Sequence, residues 1–83
     1  MTRSAENSAE LSRLRWRCRR GMQELDVILQ RWLDRHWADA DTRERADFER
    51  LLACEDDLLW RWLAGREQPD DPGLHDMVRR LGR

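Results

Sequence analysis

From Met22 to His36 one set of residues recurs at every third or fourth place: Met22, Leu25, Ile28, Leu29, Trp32, Leu33 and His36. Six of the seven are apolar. That spacing puts them along one side of an α-helix, whereas a strand would scatter them over both its faces. The same period returns in shorter blocks. Leu11, Leu14 and Cys18 precede the long one. Phe48, Leu51 and Leu52 follow it, then Leu58, Leu59, Trp62 and Leu63, then Leu74, Met77, Val78 and Leu81. No segment alternates with period two. The β-branched residues are only Thr2, Val27, Ile28, Thr42 and Val78, so strands are not expected. With 83 residues there is room for one small domain and a thin core. The expected fold is all-α, a compact single-domain bundle of five short helices.

Turn chemistry divides the blocks. Residues 1–7 show no apolar period and read as a flexible N-terminal tail, leaving 8–83 as the five-helix domain with Ser8 as the first N-cap. Gly21 would cost about 1 kcal/mol inside a helix, so it marks a break between the first two helices. Asp39, Ala40 and Asp41 form a short turn, and Asp41 with Glu44 fits a capping box. Cys54-Glu55-Asp56 is a second tight turn with Asp56 as its cap. Gly65 stands where a helix-ending glycine belongs. The loop from Pro69 to Gly73 supplies Asp71 as N-cap and Pro72 as first helical residue of the last helix.

Charge and motif content narrow the function classes. The formal net charge is −1, against the strong basicity usual in nucleic-acid binders. It is uneven: residues 1–20 sum to +4 and residues 21–83 to −5. All 16 basic residues are arginine. No apolar run approaches the roughly 20 residues that cross a bilayer. The N-terminus lacks the apolar stretch of a secretory leader. Cys18 and Cys54 form no C-x-x-C pair, which suits a reduced, cytoplasmic setting, and Cys18 extends the stripe of the first helix as a core residue. His36 and His75 have no nucleophile at motif spacing and are read as satisfied or solvent-facing. The cysteines and histidines are not paired as zinc ligands are. The glycines are too scattered to cradle a phosphate. Neither an enzyme nor a metal site is expected.

One stretch, Trp16 to Asp26, is less ordinary. On a helical wheel Arg13, Arg17 and Arg20 cluster together, and Trp16 falls roughly opposite Leu11, Leu14 and Cys18. An indole among arginines is the composition of an interface hot spot. The plainer reading folds Trp16 back over a neighbouring helix with an arginine stacked on it. Arg20 and Glu24, four apart around Gly21, read on physical grounds alone as a surface ion pair beside a helix-breaking glycine.

Arg20-Gly21-Met22-Gln23-Glu24 also matches an R-G-x-x-E motif, set within Cys18-Arg19-Arg20-Gly21-Met22-Gln23-Glu24-Leu25-Asp26. Together with Leu51-Leu52-Ala53-Cys54-Glu55-Asp56, Trp62-Leu63, Pro69-Asp70-Asp71 and Met77-Val78-Arg79, it resembles the FAD assembly factors, the flavinylation factors of succinate dehydrogenase. The resemblance runs from about Trp16 to Leu81 and leaves residues 1–13 divergent. It implies a five-helix bundle that is not itself catalytic. Such a protein binds the flavoprotein subunit of succinate dehydrogenase, and of fumarate reductase in bacteria, and promotes covalent attachment of FAD to it. It implies that Arg20, Gly21 and Glu24 meet that subunit, with Trp16, Arg19, Met22 and Asp26 flanking them. FAD would then be carried by the client and not bound tightly by a monomeric, cytoplasmic helper. Two other readings use the same face: a small antitoxin-like regulator of another protein, and a nucleic-acid module built on the Arg and Trp face.

Overall fold

A computed structural model describes residues 2–82, with side chains from Ala9 onward. It contains helices α1 (Thr2–Arg17), α2 (Gln23–His36), α3 (Thr42–Leu52), α4 (Asp56–Leu63) and α5 (Pro72–Leu81), with a one-turn 3₁₀ helix at Trp37–Asp39. No strand occurs among the described residues. The all-α bundle of five helices is thus as the periodicity predicts. α1 is drawn from Thr2, so Ser8 lies inside it and is not its cap. Met1, the first residue of the expected tail, lies outside the described residues. Among the described residues no helix is long and apolar enough to cross a membrane.

Each apolar block turns inward. Leu14 and Cys18, Leu25, Leu29, Trp32 and Leu33 of α2, Phe48, Leu51 and Leu52 of α3, Leu59 and Trp62 of α4, and Met77 and Leu81 of α5 form one buried cluster together with Trp37. α5 lies chiefly on α3 and also touches α4 and α2. At the centre Trp32 and Phe48 stack with ring centroids 4.5 Å apart. Trp37 meets both edge-on, at 6.1 and 6.3 Å. These are the offset and T-shaped geometries that aromatic rings favour.

Trp37 was not part of the expected stripe, and His36 was. The structure reverses them: Trp37 is buried and His36 is exposed beside Trp32, 6.1 Å away. His36 closes α2 with φ −124° and ψ −20°, off helical values, while Trp37, four residues after Leu33, continues the buried set Leu25, Leu29 and Leu33. Arg45 fixes the turn, with its guanidinium 4.8 Å from the Trp37 ring and two donors on the Trp37 carbonyl.

The helix ends follow local chemistry. Asp41 and Glu44 form the expected capping box, each side chain bonding the other's backbone N–H. Asp71 caps α5 through the Leu74 N–H at 3.0 Å, and Pro72 is its first residue. Gly65, at φ +78°, ends α4 in a Schellman turn. Its N–H reaches the Trp62 carbonyl, and the Arg66 N–H reaches that of Arg61. One cap differs: α4 is preceded by Glu55, and Asp56 is already its first helical residue. The Asp56 carboxylate is held by Arg20 and not by its own helix.

Candidate partner-binding surface

The joint between α1 and α2 is built by Arg20. Its Nε donates to Asp56 Oδ1 at 2.6 Å. Nη1 donates to the Leu52 carbonyl at 2.6 Å and Nη2 to the Cys54 carbonyl at 2.5 Å. The backbone N–H of Arg20 donates to Asp26 Oδ1 at 2.7 Å. One planar fork therefore satisfies two carbonyls at the end of α3 and pairs with the acid that opens α4. It puts positive charge at a helix C-terminus, where the helix dipole favours it. This corrects the wheel reading. α1 stops at Arg17, so Arg20 leaves the Arg13 and Arg17 face and turns inward, with only 15% of its side chain exposed. Its ionic partner is Asp56, not Glu24.

Gly21 follows with φ +84°, in the left-handed region that a side chain disfavours. No heavy atom lies within 4 Å of where a Cβ would stand. The turn thus requires glycine for its backbone, and the space above it is open. Met22, extended and half-buried, precedes α2 without offering a side-chain cap. Glu24 and Asp26 place negative charge in the first turn instead. Asp26 is committed to Arg20. Glu24 is exposed and forms no ion pair among the described residues.

Trp16 is 70% exposed on the outer face of α1, with the Arg19 guanidinium 5.2 Å from its ring centroid. Both readings of Trp16 contained part of this: it faces outward, and an arginine stacks on it. Of the other α1 arginines, Arg15 pairs with Asp34 and Arg17 with Glu49, while Arg13 has no ion pair among the described residues. Arginines already matched by carboxylates offer little to a phosphate backbone.

Trp60 of α4 was missed by the sequence reading. It is half-buried and forms one wall of an open-sided trough with Met22, Gln23, Glu24 and Leu25. Its place between Leu59 and Trp62, inside the apolar set Leu58, Leu59, Trp62 and Leu63, was the only signal available, and it did not say which helix would lie opposite. Cys18 is fully buried, and burial pushes its thiol up to about 11. Cys54 is raised by the same cause. His75 Nε2 lies 3.1 Å from Gln68 Oε1. No group of three His, Cys, Asp or Glu among the described residues could hold a metal ion.

Residues 12–83 match the family model described as flavinator of succinate dehydrogenase. The chain belongs to this flavinator family. The FAD assembly factor SdhE of Xylella fastidiosa strain 9a5c is 54% identical over 73 residues, covering 88% of this chain and 75% of the relative. The FAD assembly factor SdhE of Methylococcus capsulatus is 44% identical over 73 residues, 88% of each chain. That of Idiomarina loihiensis is 37% identical over 79 residues, 95% of this chain and 88% of the relative. The family match takes in the whole joint from Trp16 to Asp26, and it takes in Trp60. In this flavinator the joint separates into two roles by geometry. Arg20 and Asp26 face inward and hold the turn, while Trp16, Arg19, Gly21 and Glu24 face solvent and Met22 lies half-buried between.

Proposed function

We propose that this chain binds the flavoprotein subunit of succinate dehydrogenase and promotes covalent attachment of FAD to it, without being the catalyst. Membership of the flavinator family gives the reading its client. The observation that gives it a surface is the open notch at Gly21, where, its chain neighbours aside, no heavy atom lies within 4 Å of the place a Cβ would take. Trp16, Arg19, Met22 and Glu24 flank this notch in sequence, are not taken up in holding the turn, and are assigned to contact. Arg20 and Asp26 are assigned to holding the turn that presents them.

A helper of this kind acts by population shift. It binds one arrangement of the flavoprotein's domains around the flavin better than the others, and that difference in affinity is the most it can contribute. FAD is the client's group throughout and is not held tightly here. The flavoprotein of fumarate reductase is a second client on the same chemistry. The helper works as a monomer in the cytoplasm. The deciding experiment is in-gel flavin fluorescence of the client subunit produced with and without this protein. Covalent flavin should rise when the protein is present. Equal fluorescence in the two samples would overturn the proposal.

A further inference from the structure

The clefts of this molecule differ in how far their charges are already matched. Between the end of α2 and α5, Arg80 bonds both Glu44 and Asp76, so that cleft is internally neutralised. Across α3 and α5, Arg50 bonds Asp71. The trough beside the Gly21 notch is different. Its surface is apolar where Met22 and Trp60 meet above the buried Leu25, and Glu24 lines it without an ionic partner among the described residues. The helix dipole explains an acid in the first turn of α2, but Asp26 already serves there and is anchored.

Tryptophan and methionine are enriched at interfaces, the first as a large anchor and the second as an adaptable filler. Each is half-buried here and each leaves part of its surface in water. Resting on the function proposed above, we propose that this trough receives an apolar side chain of the flavoprotein that lies next to a lysine or arginine. The apolar group covers Trp60 and Met22, and the cation bonds the Glu24 carboxylate. Trp60 becomes a specificity-determining contact contributed by α4, outside the R-G-x-x-E segment. The charge of Glu24 selects against a partner segment carrying an acid at that place, since like charges brought together in a dried interface repel.

The test uses the full chain labelled with 5-fluorotryptophan and the purified apo-flavoprotein subunit. The Trp60 fluorine signal is assigned by its loss in Trp60→Phe. On complex formation that signal should shift or broaden, and Trp60→Ala should weaken binding about tenfold or more. Trp60→Phe, which keeps an aromatic wall, should lose less. Glu24→Gln should weaken binding at low salt and bring it close to the wild type at high salt, because the lost term is a screened ionic one. A complex that forms with the Trp60 signal unmoved, or with Trp60→Ala binding within twofold of wild type, would overturn the trough while leaving the function intact. No complex and no gain in covalent flavin would overturn the function, and the trough with it.

Discussion

Arg20 and Asp56 stand 36 positions apart in sequence, yet the Arg20 Nε lies 2.6 Å from Asp56 Oδ1. The pair joins the break after α1 to the turn between α3 and α4, and the same guanidinium bonds the Leu52 and Cys54 carbonyls. Hydrogen bonds to a charged group contribute about 1.5–3 kcal/mol each and are not additive. Arg20→Ala should therefore destabilise the fold by about 2–3 kcal/mol. That corresponds to a Tm fall on the order of 10–20 °C for a domain of this size. Arg20→Lys should recover only part of it, since an ammonium cannot reproduce the planar fork. Thermal melts followed by circular dichroism decide the matter. If Arg20→Ala melts within a few degrees of wild type and still fails to bind the client, Arg20 touches the partner directly.

Gly21 combines a left-handed backbone with open space. Those two properties predict different costs for different side chains. Any ordinary L-residue there should lose about 1–2 kcal/mol through backbone strain alone. Asparagine, which tolerates this region, should lose less. Nothing in the fold clashes with a larger group, so Gly21→Arg should retain its helical spectrum at 25 °C and melt close to Gly21→Ala. Its effect should fall on the client: co-purification of the flavoprotein subunit should persist for Gly21→Asn and be lost for Gly21→Arg. Equal co-purification of the two would place the interface elsewhere.

What could be read from the sequence was what local spacing encodes. The Asp41 and Glu44 box and the Asp71-Pro72 start each involve residues within three positions, and the structure places them as expected. Gly65 closing α4 is likewise local. The misplacements share a physical cause. The stripe stops at His36 and leaves out Trp37, which the core takes because Phe48 of α3 lies against it. Arg20 was given to the surface because its acceptors lie 32, 34 and 36 positions away. Trp60 was passed over because its wall of the trough is completed by another helix. Periodicity states which side of a helix is apolar. It does not state which distant backbone group a long polar side chain will find.

Asp71 ties stability to acid pH. The Leu74 N–H bonded to its carboxylate, assisted by the Arg50 guanidinium, holds its pKa below the ordinary carboxylate value. A carboxyl depressed in the folded state contributes stability above its unfolded pKa, and that contribution is lost as pH falls through and below about 4. Asp71→Asn keeps a capping acceptor but does not titrate. At pH 7 Asp71→Ala should melt lowest and Asp71→Asn between it and wild type. As the pH falls below about 4 the gap between wild type and Asp71→Asn should narrow. A gap between those two that stays constant from pH 7 to pH 3 would mean that the carboxylate charge contributes nothing to the cap.

Cys18 predicts an effect at the opposite end of the scale. Its thiol is fully buried among Leu14, Leu25 and their neighbours, and burial raises its pKa to about 11. At pH 8 the folded chain then holds about one thiolate in a thousand at this position, and the thiolate is the reactive form. Cys54 is only half-buried. A thiol titration with an aromatic disulfide at pH 8 should find one group, Cys54, reacting in the folded protein and two after unfolding. The same shift sets a stability trend. The unfolded chain ionises Cys18 at about 8.5, while the folded chain keeps its proton up to about 11. Unfolding therefore releases a proton between these values, and Tm should fall as pH rises through that window. Cys18→Ala should be less stable throughout because of the cavity it leaves, but it should lack this component of the alkaline slope. Two equally fast thiols in the folded chain would show that Cys18 is reachable from solvent and that the α1 end of the core opens readily.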